Sequence, residues 1–303
     1  MNLFLASAVL AVSAVRAAVA GSADFEPPVD VAIDGHDGHA MEPFVSRDGR
    51  WLFFNDRNQP QDQTDLHVAT RVDATRFDYL GRLQGANSEA LDGVPSMDRS
   101  GRFFFVSPRS YDETKNTLWR GRFDDGRLAD VRPLAGDASR RKPFWLNIDA
   151  EVSADGETLY VVESRWRVFG GGIKSADILL ARRGDDDAFR RPDDGGGGGG
   201  GTFEAINTDL LEFAPATTSD ERTLYFTRVD RKALREGRED GFGIFVAERS
   251  SRTEPFGAPQ RIEAINGYVE APTVGPDGCA IYFHKRVDGV FRIQLAEKTD
   301  CRP

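Results

Sequence analysis

Five stretches of this chain repeat one phrase, and that repetition constrains the fold more than any other feature. The stretches run Glu42–Phe54, Val94–Val106, Asp149–Val161, Ala214–Phe226 and Ala271–Phe283. Each reads as a short strand, a tight turn and a second apolar strand. Asp48-Gly49, Ser100-Gly101, Asp155-Gly156 and Asp277-Gly278 stand at the turn, where a hairpin needs positive φ that glycine adopts without steric cost. The fourth copy has Asp220-Glu221 there and lacks the glycine. A third alternating strand follows each hairpin, at 65–69, 117–120, 177–181, 243–247 and 290–293, and a fourth follows in the first four copies.

Four strands per repeat, in five copies, predict an all-β, five-bladed β-propeller. The last copy runs out of chain before its fourth strand. Phe25–Ile33, which matches 256–265 in pattern, supplies that strand, so the last blade is expected to be closed by the N-terminal strand with no edge left open. The phrase Ser-x-Asp-Gly-x-x-Leu-Tyr/Phe-Phe, followed by Asp-Ile/Leu-x-x-Ala-x-Arg, resembles the TolB-type WD40-like repeat family. Leu211–Pro215 and Val269–Pro272 resemble its Glu-x-x-Pro openings. That resemblance implies a non-catalytic docking platform, presenting one face to a protein partner or a small ligand.

The formal charge is -10, which disfavours nucleic acid and anionic membrane surfaces as partners. Residues 1–20 read as a signal peptide: Leu3–Val15 is apolar and Ala18-Val19-Ala20 gives a small-x-small cleavage pattern. The expected product is a periplasmic or secreted monomer, residues 21–303, with no membrane insertion. Cys279 and Cys301 either pair, tying the tail to the last blade, or remain one buried and one exposed thiol. Gly184–Thr202, with its glycines Gly195–Gly201, is expected to be a flexible loop.

Propeller topology sorts the loops by face. The connections 56–64, 107–116, 163–176 and 228–242 fall on the face where the inner strands begin, and they are long enough to carry a binding site. A carboxylate stands at or just before each inner strand: Glu42, Asp92, Asp149, Glu212 and Glu270. These side chains either form an acidic ring at the channel mouth, raising one another's pKa or binding a divalent cation, or accept backbone N–H bonds where the strands begin. An arginine follows each second strand: Arg57, Arg109, Arg165, Arg228 and Arg286. They either pair with those carboxylates or receive an anionic ligand bidentately. His36, Asp37 and His39, ahead of Glu42, are the metal candidates; no other cofactor is implied. Trp145 and Trp166 either pack in the core or stack on a sugar.

No Gly-x-Ser-x-Gly elbow and no His-Glu-x-x-His helix occurs, so the main expectation is binding without catalysis. A second reading is a glycoside hydrolase that uses the inner-strand carboxylates. Glu42-Pro43 resembles the Asp-Pro opening of five-bladed arabinanases and xylosidases, and Ile148-Asp149-Ala150 resembles their Ile-Asp-Pro. That resemblance implies Glu42 as base, Asp149 as the tuner of the acid's pKa, and Glu212 or Glu270 as acid. A third reading is a metal-dependent lyase or lactonase using the acidic ring with His36 or His39.

Overall fold

The computed structural model describes residues 24–58, 63–167, 172–192 and 201–301. The expected leader 1–20 and the glycines 195–200 lie outside the described residues. So do 59–62 and 168–171, parts of two of the long loops.

The strands pair into five antiparallel units of four. Blade 1 is Met41–Val45, Trp51–Asn55, Leu66–Arg71 and Arg76–Arg82. Blade 2 is Gly93–Met97, Arg102–Val106, Leu118–Asp124 and Arg127–Pro133. Blade 3 is Trp145–Val152, Thr158–Trp166, Ile173–Arg183 and Phe189–Arg190. Blade 4 is Leu211–Thr217, Thr223–Val229, Phe242–Glu248 and Gln260–Arg261. Blade 5 is Val269–Val274, Ala280–Val287 and Val290–Glu297, completed by Val29–Asp30 from the other end of the chain. The inner strands contact one another around a closed ring, blade 5 meeting blade 1.

The N-terminal strand closes the last blade as expected, with Val29 opposite Leu295 and Phe25 bridged to Lys298. Phe25 is buried and meets Tyr225 of blade 4 edge-on at 6.2 Å. The chain then crosses to blade 1, where Ala32–Asp34 adds a fifth, parallel strand beside Arg76–Asp78. Cys279 and Cys301 form a disulfide, so the C-terminal turn is tied to blade 5. The expected loop 184–202 begins with packed structure: Phe189 is fully buried, 5.5 Å from Phe104 and edge-on to it, because an outer strand that carries one large aromatic side chain gains by covering the neighbouring blade.

Blades pack face to face, so their strands are buried on both sides and read as continuous apolar runs. Phe53 of blade 1, for example, lies 5.0 Å from Phe103 and 4.9 Å from Phe123 of blade 2. Four inner strands carry a bulge with a non-glycine residue at positive φ: Glu42 (49°), Val94 (57°), Ala214 (50°) and Ala271 (55°). A proline follows each of them, a residue that brings no ladder donor to the bulge. The bulge amides, turned out of their own ladders, donate to the preceding blade. Glu42 N–H reaches His284 Nδ1 at 3.1 Å, Val94 reaches Asn55 Oδ1 at 3.0 Å, Ala214 reaches Asp149 Oδ2 at 3.2 Å, and Ala271 reaches Thr227 Oγ1 at 3.0 Å. A strained backbone position is thereby offset by a bond that stitches the ring.

Candidate functional site

The five sequence-predicted carboxylates do not form one ring. Aligned on the bulge, Glu42 and Asp149 share a position, Glu270 sits one residue earlier, and Asp92 and Glu212 sit two residues earlier. That offset decides their fates. Asp92 is fully buried, pairs with Arg109 and accepts from Ser88 Oγ at 2.8 Å. Glu212 is likewise fully buried, accepting from Arg228 Nε at 2.8 Å and Thr208 Oγ1 at 2.6 Å. Both are closed off by partners within their own blades, as the capping alternative holds.

Glu42, Asp149 and Glu270 converge instead. They are buried to 8%, 4% and 9% exposure, and no Lys or Arg pairs with any of them among the described residues. Burial pushes the Glu42 carboxyl up to about 8; the charges of Asp149 and Glu270 push the same way, against His284 and the 3.0 Å bond from Asn58 Nδ2. Asp149 is raised to about 7, again by burial, against the bond from Ala214 N–H and with the help of Glu270. Glu270 meets His284 Nε2 at 3.1 Å. Because Nδ1 of that ring must accept from the Glu42 amide, its proton stands on Nε2 and is donated to Glu270. One histidine thus fixes the orientation of one carboxylate and the backbone of another.

Three participants escaped sequence reasoning. Neither His284, in the second strand of blade 5, nor Asn58, in the loop after Asn55, stands in a sequence pattern that marks a site. Tyr268, just ahead of Glu270, lies close enough for the charges of Glu270 and Glu42 to add to the rise in its pKa that burial causes. It stacks on Phe242 at 4.0 Å under the Arg286 guanidinium.

The axial channel beneath these groups is narrow, a cavity of about 30 Å3 lined by Pro43, Pro95, Pro215 and Pro272 among others. That is room for water and not for a sugar ring. Its far end is closed by Arg47, which reaches across the axis to Glu151 Oε1 (2.5 Å) and Val152 O (2.8 Å). Ser96 Oγ donates to the second Glu151 oxygen at 2.8 Å. Among the described residues the channel therefore opens only toward the long-loop face.

The remaining candidates separate. Arg109 and Arg228 serve Asp92 and Glu212, and Arg286 pairs with Glu239 at 2.9 Å. Arg57 is exposed, with its charge felt at His39 and Tyr268. Arg165 stands over Trp145, 5.6 Å from the ring centroid. His36 packs against Phe54, His67 and Tyr79 and bonds the His39 carbonyl, while His39 Nδ1 accepts from Phe291 N–H. These two rings therefore point into separate packing contacts and do not join Asp37 and Glu42. Among the described residues, no group of three His, Cys, Asp or Glu side chains is placed to hold a metal.

No protein-family profile matches the sequence, and no curated protein matches it. Solved structures do match. A family 117 glycoside hydrolase from Zobellia galactanivorans is similar at 8% identity and TM-score 0.55, over 92% of this chain and 92% of that one. An endo-arabinase from Bacteroides thetaiotaomicron is similar at 14% identity and TM-score 0.53, over 90% and 97%. The catalytic domain of a family 62 α-L-arabinofuranosidase from Coprinopsis cinerea gives 10%, 0.52, 91% and 96%. At these identities the likeness establishes the fold, a β-propeller, and it does not single out the TolB type. The expectation of a non-catalytic platform is overturned at this point: the three structures just named, each matched over nine tenths or more of this chain, are glycoside hydrolases, and among the described residues no Lys or Arg pairs with the carboxylates at the mouth.

Proposed function

We propose that the chain is a glycoside hydrolase whose reaction takes place at the channel mouth. The observation that carries this reading is the convergence of Glu42, Asp149 and Glu270 from blades 1, 3 and 5, with burial raising the first two and the His284 ring held on the third. Carboxyl groups in distinct protonation states on either side of a glycosidic bond are what its acid- and base-assisted cleavage needs.

Burial assigns the roles differently from the resemblance. Glu42, raised to about 8, keeps its proton at neutral pH and donates it to the departing glycosidic oxygen. Glu270, held by the His284 Nε2–H, takes the proton of the water that attacks the anomeric carbon. Asp149, between them in chain order, adds charge that helps hold the proton on Glu42. Glu212 is not a participant, because Arg228 and Thr208 occupy its oxygens. The likeness of the repeat phrase to TolB-type blades we assign to the hairpin scaffold, whose Asp-Gly turns lie on the face away from the mouth. Export by the leader 1–20 would bring such an enzyme to polysaccharide outside the cytoplasm.

The test is reducing-end release from a panel of neutral and acidic oligosaccharides. Glu42→Gln is expected to lower kcat by about 10²–10⁴-fold, the usual worth of a general acid. Glu212→Gln is expected to leave kcat within a few-fold while lowering the unfolding midpoint. Absence of cleavage across the panel, or equal loss in both variants, defeats the reading.

A further inference from the structure

Blade 3 overhangs the mouth. Its first three strands have 8, 9 and 11 residues, whereas the inner strands of blades 1 and 2 have 5 each. Trp145 begins its inner strand four residues before Asp149, roughly 10–13 Å above it at the rise of a β-strand. Tyr111, from the long loop of blade 2, donates to Trp145 O at 3.1 Å and fixes the base of the overhang.

The overhang is basic in a chain of net charge -10. Among the described residues, Arg141, Lys142, Arg165, Arg167 and Lys174 have no carboxylate oxygen within 4.0 Å. The neighbouring blade 4 loop is different: Arg238 pairs with Glu236 and Asp240 at 3.0 and 3.1 Å, and Lys232 approaches Glu236 at 3.9 Å. Glu163, the buried acid of the overhang, is already held by Arg140 and Arg191 at 2.7 and 2.5 Å.

Arg165 is preorganised. It stands over Trp145, as does Arg140 at 4.3 Å, and a guanidinium laid on an aromatic face keeps its N–H edge available for a planar anion. Beside it Phe144 is 47% exposed at φ 65°, a conformation that is costly for a bulky residue, and its carbonyl is held by Trp166 N–H at 2.8 Å. An aromatic face held toward solvent next to cations that meet no carboxylate among the described residues suits an apolar sugar face bearing a negative group.

We infer that the blade 3 overhang is a subsite for an anionic sugar: Phe144 stacks on the ring, and Arg165 with Lys142 takes its carboxylate or sulfate. This inference rests on the hydrolase reading and names its substrate class. Exposed charges beyond a Debye length of about 8 Å are largely screened at physiological salt, so the net charge of the whole chain does not set the field at the overhang.

The experiment titrates the full chain carrying Glu42→Gln, which does not consume ligand, with oligogalacturonides, sulfated galactan oligosaccharides, neutral arabino-oligosaccharides and polyglutamate. One anionic sugar is expected to bind tightest, the uronate or the sulfate arm identifying which. Arg165→Ala should weaken it roughly ten- to a hundredfold, the worth of a charge-assisted hydrogen-bonded pair, with Phe144→Ala also weakening it. Arg165→Lys, which keeps the charge and loses the planar fork, should recover only part of the affinity. Neutral sugars or polyglutamate binding equally well, or an affinity indifferent to Arg165→Ala, overturns the inference. Wild-type cleavage of neutral sugars without binding of anionic ones overturns it alone; no binding and no cleavage of any sugar removes the hydrolase reading too.

Discussion

The two ends of the axial channel hold carboxylates of similar burial and opposite character. Glu151 at the closed end is 5% exposed and Glu42 at the mouth 8%. Glu151 has Arg47 and Ser96 on its two oxygens, whereas Glu42 has the single amide of Asn58 and two further carboxyls for company. Burial is therefore common to both, and the partner decides what a buried acid does. With a cation it closes the ring; without one it holds a proton at neutral pH. Asp92 with Arg109 and Glu212 with Arg228 belong with the closed end, although they lie near the mouth.

The largest expected effect breaks the closed end. Arg47→Met leaves Glu151 buried without its cation and should cost about 3–5 kcal/mol in urea unfolding, most of it recovered in Arg47→Met combined with Glu151→Met. If the single variant unfolds like the wild type, the two ends do not differ as argued. Next comes pH. With Glu42 as the acid, kcat/KM should hold through neutrality and fall above about pH 8 as that carboxyl loses its proton. A rate that climbs between pH 5 and 8 would return Glu42 to the role of base. The smallest effect is on stability. The folded-state pKa of Glu42 is raised from 4.5 to about 8, so the native chain binds the extra proton and loses stability as pH rises across that interval. Glu42→Gln should flatten the slope and leave the variant more stable than the wild type at pH 8. An unchanged slope would mean that the mouth carboxyl titrates as in water.

One local anomaly in the repeat has a tertiary explanation. Where the other copies place glycine in the hairpin turn, Glu221 takes φ 56°. Its carboxylate is fully buried and accepts from Tyr160 OH at 2.7 Å, with Arg249 and Arg252 nearby. The strain of the turn is offset by a polar link between blades 3 and 4, which no pattern within one blade could reveal.

Much of the architecture was legible in the order of residues. The phrase beginning at 42, 94, 149, 214 and 271 determined the strands and their grouping into blades, and the likeness of Phe25–Ile33 to 256–265 marked the segment that closes the ring, of which Val29–Asp30 pairs with blade 5 and Ala32–Asp34 passes on to blade 1. It also marked Glu42, Asp149 and Glu270, but alongside Asp92 and Glu212 with nothing to rank them. A shift of one or two residues around a bulge sends a side chain to the axis or into its own blade, and that shift is set by pairing with the next strand. The Glu42–His284–Glu270 link, the Arg47 plug and the basic overhang join residues of different blades or elements far apart in the chain. Only closure of the ring brought them together, because a propeller specifies each blade locally and its axis collectively.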